Sequence, residues 1–342
     1  MQTTKTRINK KNIMVIGTGG TIAGTGEEGV TSAYDSAQVK VDKLVSDIPC
    51  LESVANVTSK NLFSVDSCDM SWENLIELAN YINKVSEDDN VDGFVITHGT
   101  DTLEETAYFL NLVLKTDKPV VITGSMRPGT AISADGPFNL YQAVALAANS
   151  EASGKGVLVT FSDGIYGARD ICKVNTFRTG AFSQKDLGCL GYMRDDQVFF
   201  YNSSTKRHTL DTEFNVPDIG NMPKVEIIMF YIDAGTDLLD YISKTCRGVV
   251  LAGAGSGGSS SKWDNKIKEI VESGIPVVRA SRVSNGLITY EDSEIKTKGI
   301  YSGNLSPQKA RILLSLGLTK TQKMEELQEM FNKIGRASCR ER

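Results

Sequence analysis

Histidine is almost missing from this chain: His98 and His208 are the only two in 342 residues. That scarcity leaves little for a zinc centre or for Ser-His-Asp chemistry, and no Gly-x-Ser-x-Gly elbow accompanies either histidine. The six cysteines (Cys50, Cys68, Cys172, Cys189, Cys246, Cys339) show no CxxC spacing. Such isolated cysteines exclude a dense disulfide framework and read as small buried hydrophobes. Positive charge is not in excess, the net charge being −5. A mildly acidic chain has no electrostatic footprint for nucleic acid and gains nothing at an anionic membrane surface. No apolar run approaches the roughly 20 residues of a membrane span. The start, MQTTKTRINKKN, leads into only a short strand-like run and does not read as a secretory signal.

What is present is alternation. Short Val- and Ile-rich runs at 13–16, 93–97, 120–123, 156–161, 225–230, 249–252 and 277–280 read as buried strands. Helical patterns at 72–85, 103–114 and 139–149 lie between them. This predicts a two-domain α/β protein, with a larger N-terminal doubly wound sheet and a smaller C-terminal parallel-sheet domain. The polar stretch 202–222 reads as a linker, so the domains are expected over 1–201 and 223–334. GRASCRER breaks the composition abruptly, and 335–342 is read as an appended tail.

In doubly wound sheets ligands bind beyond the carboxyl ends of the strands. The loop after the first strand reads VIGTGGTIAGTG (15–26). From Gly17 the dinucleotide pattern fails at Ile22, where its third glycine belongs. The match at Gly24, Gly26 and Gly29 lies beyond the strand end and puts Glu27 and Glu28 where an anion would sit. The Walker pattern offers Thr25 instead of lysine. A tight turn with hydroxyls at Thr18 and Thr21 remains, against the bland reading of glycines used only for packing.

A second strand-end loop reads THGTDTLEE (97–105). Asp101 or Thr102 fits a helix N-cap, and Glu104 and Glu105 suit the helix dipole. Capping does not explain why two strand ends each present Gly-Thr. In the third loop Arg127-Pro128 reads as a brace. The fourth, SDGIYGARDICKVNT, sets Lys173 shortly after a strand. A lysine there is usually solvated, but buried beside polar groups it can serve a neighbouring hydroxyl as a base. A Thr–Lys pair aided by an aspartate therefore fits better than a histidine triad, with loop amides as donors for an oxyanion.

TGGTIAG (18–24) together with HGTDTLEETAYFL (98–110) resembles the bacterial-type L-asparaginase family, also called asparaginase/glutaminase. The similarity extends through MRP (126–128), SADGPFNLY (133–141), GARD (167–170) with Lys173, and PQKARILL (307–314), from about Ile13 to about Phe331. The resemblance implies hydrolysis of a side-chain amide to a carboxylate and ammonia, with no metal or cofactor. It implies Thr21 as the acylated nucleophile and Tyr34 as the mobile-loop tyrosine that meets it. Thr100, Lys173 and Asp101 would be the second group, which activates water or the nucleophile. Ser67 would hold the substrate α-carboxylate and Asp101 its α-ammonium. A glutamate crossing a subunit interface would be Glu294 or, with the alignment shifted, Glu291. The expected assembly is a homotetramer built as a dimer of dimers, and the expected substrates are L-asparagine and, secondarily, L-glutamine.

Three departures qualify this. Cys68 replaces the glutamine common after the serine. Ser256, in GAGSGG, stands where members carry asparagine or serine, a position that bears on tolerance of glutamine. Ser86 and Thr116 lie where some secreted members bridge two cysteines, so a cytoplasmic location is expected, with a periplasmic or secreted one as the alternative for a processed form. Two rival functions compete with this reading. A non-catalytic amino-acid-binding protein would gain nothing from Thr21, Thr100 and Lys173. The family's tRNA-dependent amidase branch usually carries an N-terminal domain ahead of this first strand.

Overall fold

The structure is a computed structural model, and it describes residues 10–31, 34–218, 220, 222–289 and 297–335. Among these the strands are, in chain order, β1 (Asn12–Gly19), β2 (Thr25–Gly26), β3 (Tyr34–Asp35), β4 (Asn56–Val65), β5 (Gly93–Thr97), β6 (Val120–Thr123), β7 (Val157–Phe161) and β8 (Gly164–Gly167). They continue with β9 (Cys172–Lys173), β10 (Phe182–Ser183), β11 (Gly191–Arg194), β12 (Gln197–Phe200), β13 (Val225–Met229), β14 (Gly248–Gly253), β15 (Val277–Ser281) and β16 (Ile300–Tyr301).

Eight strands form the large sheet in the order β12-β11-β8-β7-β6-β5-β1-β4. From β4 to β7 all pairings are parallel; β8, β11 and β12 then turn antiparallel. The sheet is thus mixed where the residue pattern suggested purely parallel strands. β4, β8, β11 and β12 escaped that pattern because each is half exposed or glycine-rich, so none reads as an apolar run. β5, by contrast, is buried at every residue, as its sequence FVIT anticipates.

Helix Gly136–Ala148 covers one face. Its Leu140, Ala143, Val144 and Ala147 pack with Ile13, Val15, Val95, Val121 and Leu158, alternate residues of the parallel strands. It starts three residues earlier than the periodicity indicated, because Pro137 fits the first turn, where a missing N–H costs nothing. Helix Trp72–Ser86 begins at a capping box in which Ser71 and Asn74 satisfy each other's backbone amides.

β13, β14, β15 and β16 form a separate four-stranded parallel sheet. Ile228, Val249, Leu251 and Val277 bury against Leu239, Ile242, Trp263, Ile267 and Ile270 of two amphipathic helices. The chain divides into two compact units. One holds the chain up to Ala107 with Leu114–Ser183 and Cys189–Ser203; the other holds Tyr108–Val113, Gln184–Gly188 and the chain from Ser204 onward. No helix among the described residues is long and apolar enough to cross a membrane.

Candidate active site

The order β4-β1-β5 makes the chain leave β1 to one side and return on the other, so the loops after β1 and β5 meet at the switch point. Glycine is what lets them meet. A Cβ on Gly20 would lie 2.2 Å from the Gly99 backbone nitrogen, and one on Gly99 would lie 2.7 Å from Ser67 Oγ. Gly20 also has φ +82°, a conformation side chains rarely adopt. The turns carrying Thr21 and Thr100 are therefore packed backbone on backbone, with the Ser67 side chain against the Gly99 backbone.

The two hydroxyls of the first loop have separate fates. Thr18 Oγ1 donates to the Thr97 carbonyl at 2.8 Å and braces β1 against β5. Thr21 opens a single 3-10 turn, Thr21–Ala23, and is buried.

In the second loop His98 is buried and serves the backbone. Its Nδ1 lies 2.7 Å from the Gly99 carbonyl and its Nε2 2.9 Å from Thr106 Oγ1. A carbonyl only accepts, so Nδ1 carries the hydrogen and Nε2 accepts from the threonine. Burial lowers the imidazole pKa to about 4, which keeps the ring neutral.

Thr100, Asp101 and Lys173 converge. Lys173 Nζ donates to Thr100 Oγ1 at 2.9 Å and to Asp101 Oδ1 at 2.5 Å. Lys173 is 16% exposed and Asp101 57% exposed, so a largely buried lysine reaches a carboxyl group that faces solvent. The lysine is presented by the two-residue β9–β10 ladder. Its backbone N–H donates to Glu104 Oε2 at 2.6 Å. Glu104 is buried, and sequence reasoning missed it: its place in the first helical turn explained it fully as a partner of the helix dipole.

Ser67 lies in the single turn Ser67–Asp69 after β4. Its Oγ accepts from the Asp101 N–H at 3.3 Å, and its carbonyl accepts from Thr102 Oγ1 at 2.7 Å. Cys68 Sγ lies 3.6 Å from Asp101 Oδ2. Burial and the nearby carboxylates of Asp101 and Asp66 push its thiol pKa up, so it stays a donor at neutral pH. Arg127, read as a brace, donates from Nη1 to the Ser133 carbonyl, while Asp135 accepts from the Met126 and Arg127 amides.

The remaining expected residues are placed differently. Ser256 is exposed in the loop after β14, in the second unit. Tyr34 begins β3, and its side chain lies outside what is described. Glu294 and Glu291 lie outside the described residues. Among the described residues one trio of potential metal ligands comes together: Asp66, Cys68 and Asp101, with ligand atoms within 4.8 Å of one another. Lys173 Nζ already bonds Asp101 Oδ1 there.

Comparison with known proteins agrees over nearly the whole chain. The family model described as "Asparaginase, N-terminal" matches residues 12–206, and "Glutaminase/Asparaginase C-terminal domain" matches 224–331. L-asparaginase 2 of Bacillus subtilis is 44% identical over 94% of this chain and 86% of its own length. The glutaminase-asparaginase of Pseudomonas fluorescens is 42% identical over 96% of this chain and 91% of its own. A solved structure described as a probable cytoplasmic L-asparaginase, from Campylobacter jejuni, superposes with a TM-score of 0.91 at 43% identity. That superposition covers 95% of this chain and all of the other.

Proposed function

The chain belongs to the bacterial-type L-asparaginase family, an amidohydrolase family, and we propose from this that it hydrolyses L-asparagine to L-aspartate and ammonia, with L-glutamine as a secondary substrate. The observation that carries the reading is Lys173 Nζ bridging Thr100 Oγ1 and Asp101 Oδ1 at 2.9 and 2.5 Å. Other lysines of the chain also pair with carboxylates, but they are more exposed; Lys173 is 16% exposed and reaches the buried Thr100 hydroxyl as well, the proximity that a proton-transfer pair needs.

In this reading Thr21 Oγ attacks the side-chain amide carbon. Its proton passes to the departing nitrogen, the C–N bond breaks, and ammonia leaves an ester on Thr21. The Lys173 amine then takes a proton from water through Thr100 as the water oxygen attacks the ester carbon; the bond from that carbon to Thr21 Oγ breaks, the proton passes back to Thr21 Oγ, and aspartate departs. Backbone amides of the glycine turns supply donors for the tetrahedral oxyanion. Ser67 and Asp101 hold the α-carboxylate and the α-ammonium, Tyr34 meets Thr21, and Ser256 bears on tolerance of glutamine. Glu294 or Glu291 enters from a neighbouring subunit of a homotetramer, a dimer of dimers. The compartment proposed is the cytoplasm, in line with the description of the Campylobacter jejuni structure. A Haemophilus influenzae relative described as periplasmic keeps the other location as the alternative, decided by cell fractionation.

Ammonia release by the purified chain, with asparagine and glutamine as separate substrates, tests the reading. Turnover of asparagine faster than of glutamine is expected; tight binding without release of ammonia would overturn it.

A further inference from the structure

Asp66 ends β4's exit and precedes Ser67, and its two carboxylate oxygens serve two different segments. Oδ1 accepts from the Cys68 N–H at 2.9 Å and caps the turn Ser67–Asp69. Oδ2 accepts from Ser36 Oγ at 2.6 Å. Ser36 follows β3 directly, two residues after Tyr34, and the next residue, Ala37, donates its N–H to the Gly20 carbonyl at 3.1 Å. Gly20 in turn donates to the Val65 carbonyl at 3.2 Å. A closed circuit results, in which β3's exit, the turn before Thr21 and the turn bearing Ser67 are each tied to the next.

We infer that Asp66 is a positioning residue that latches the chain leaving β3 to the turn carrying Ser67, so that the Tyr34 and Ser67 segments hold one register during asparagine hydrolysis. The inference rests on the proposed function, since the latch matters only if those segments meet a substrate. The Ser36 bond, and after it the Cys68 N–H, hold the Asp66 carboxyl below its ordinary range. The ionised form, with both oxygens accepting, is therefore the one present at neutral pH. Neither Ser36 nor Asp66 donates to or accepts from Thr100 or Lys173 in the bonds described above, so loss of the latch should weaken substrate capture more than proton transfer.

The test compares the wild-type chain with Ser36→Ala, Asp66→Ala, the double variant and Asp66→Asn, by steady-state kinetics on asparagine and by thermal melting. Ser36→Ala and Asp66→Ala should each raise KM roughly three- to tenfold, the size of one hydrogen bond to a partly exposed carboxylate, with a smaller change in kcat. The double variant should be no worse than Asp66→Ala, because both single changes remove the same bond. Asp66→Asn should stay within about twofold of wild type, since its oxygen still caps Cys68 and its amide can donate to Ser36 Oγ. Lower melting temperatures with unchanged KM would show a merely structural bond and overturn the inference, as would additive effects in the double variant. Should Asp66→Ala fail to fold, Ser36→Ala removes the same bond from the other side and decides alone. A wild-type chain without activity would overturn the parent reading and the latch together, whereas an active wild type with Ser36→Ala at wild-type KM would overturn the latch alone.

Discussion

At the scale of single residues, the site turns on which hydroxyls are spent on structure. Thr18, bonded to the Thr97 carbonyl, is spent; Thr100 is bonded to Lys173, the pair to which the proposed function gives proton transfer. Thr21→Ala, Thr100→Ala and Lys173→Met should each lower kcat/KM for asparagine at least a hundredfold, the usual cost of losing a nucleophile or a general base. Circular dichroism would establish that each variant is folded, and retention of a tenth of the activity would contradict its role. Glu104 makes a subtler prediction. Its Oε2 accepts from the Lys173 backbone N–H, so Glu104→Ala should lower kcat by loosening the lysine, while Glu104→Gln, which keeps an acceptor, should recover most of it. Equal losses in both variants would point to the negative charge of Glu104, not its hydrogen bond.

At the scale of elements, the turns after β1 and β5 are packed too closely for side chains. Gly20→Ala combines a positive φ with a Cβ 2.2 Å from the Gly99 nitrogen. Each of these costs about 1–3 kcal/mol. The melting temperature should drop by several degrees and activity with it, and a Gly20→Ala protein as stable and active as wild type would refute the close approach. The helix after β5 depends on neutral His98, whose pKa falls from an ordinary 6.5 to about 4 in the fold. An imidazole harder to protonate when folded means that the unfolded chain takes up the proton between pH 6.5 and 4. Its contribution is therefore complete above pH 6.5, fades as the pH falls, and has cost on the order of 3 kcal/mol by pH 4. Urea midpoints measured across that window should fall with pH in wild type. The slope should be shallower in His98→Asn, and identical slopes would exclude His98 as the group responsible.

At the scale of the whole molecule, the proposed function has a glutamate reach a neighbouring subunit's site, which would make the active unit at least a dimer. Thr21→Ala and Glu294→Ala subunits, each inactive alone, should regain activity once dissociated and reassociated together. Hybrid oligomers contain sites that have both groups intact. Hybrids confirmed by native mass spectrometry yet still inactive would count against a shared site, and an active monomer on a sizing column would rule it out.

Much was legible in the residues alone. The apolar runs that become β1, β5, β6, β7, β14 and β15 are buried on both faces, so hydrophobicity announces them, and Gly-Thr at two strand ends marks two loops that the fold brings into close contact. Edge and antiparallel strands such as β4 and β12 could not be read this way, because one face meets solvent and the pattern dilutes. The placement of charges was decided only by the tertiary structure. Lys173 lies 72 residues beyond Asp101, and no periodicity spans that gap; the parallel crossovers of the sheet and the β9–β10 ladder bring the two to 2.5 Å. The same holds for Glu104 and for Asp66 with Ser36, whose partners lie 69 and 30 residues away. Local sequence sets what each segment can form, but a hydrogen bond between distant segments exists only once the fold has brought donor and acceptor together and the gain outweighs their exchange with water.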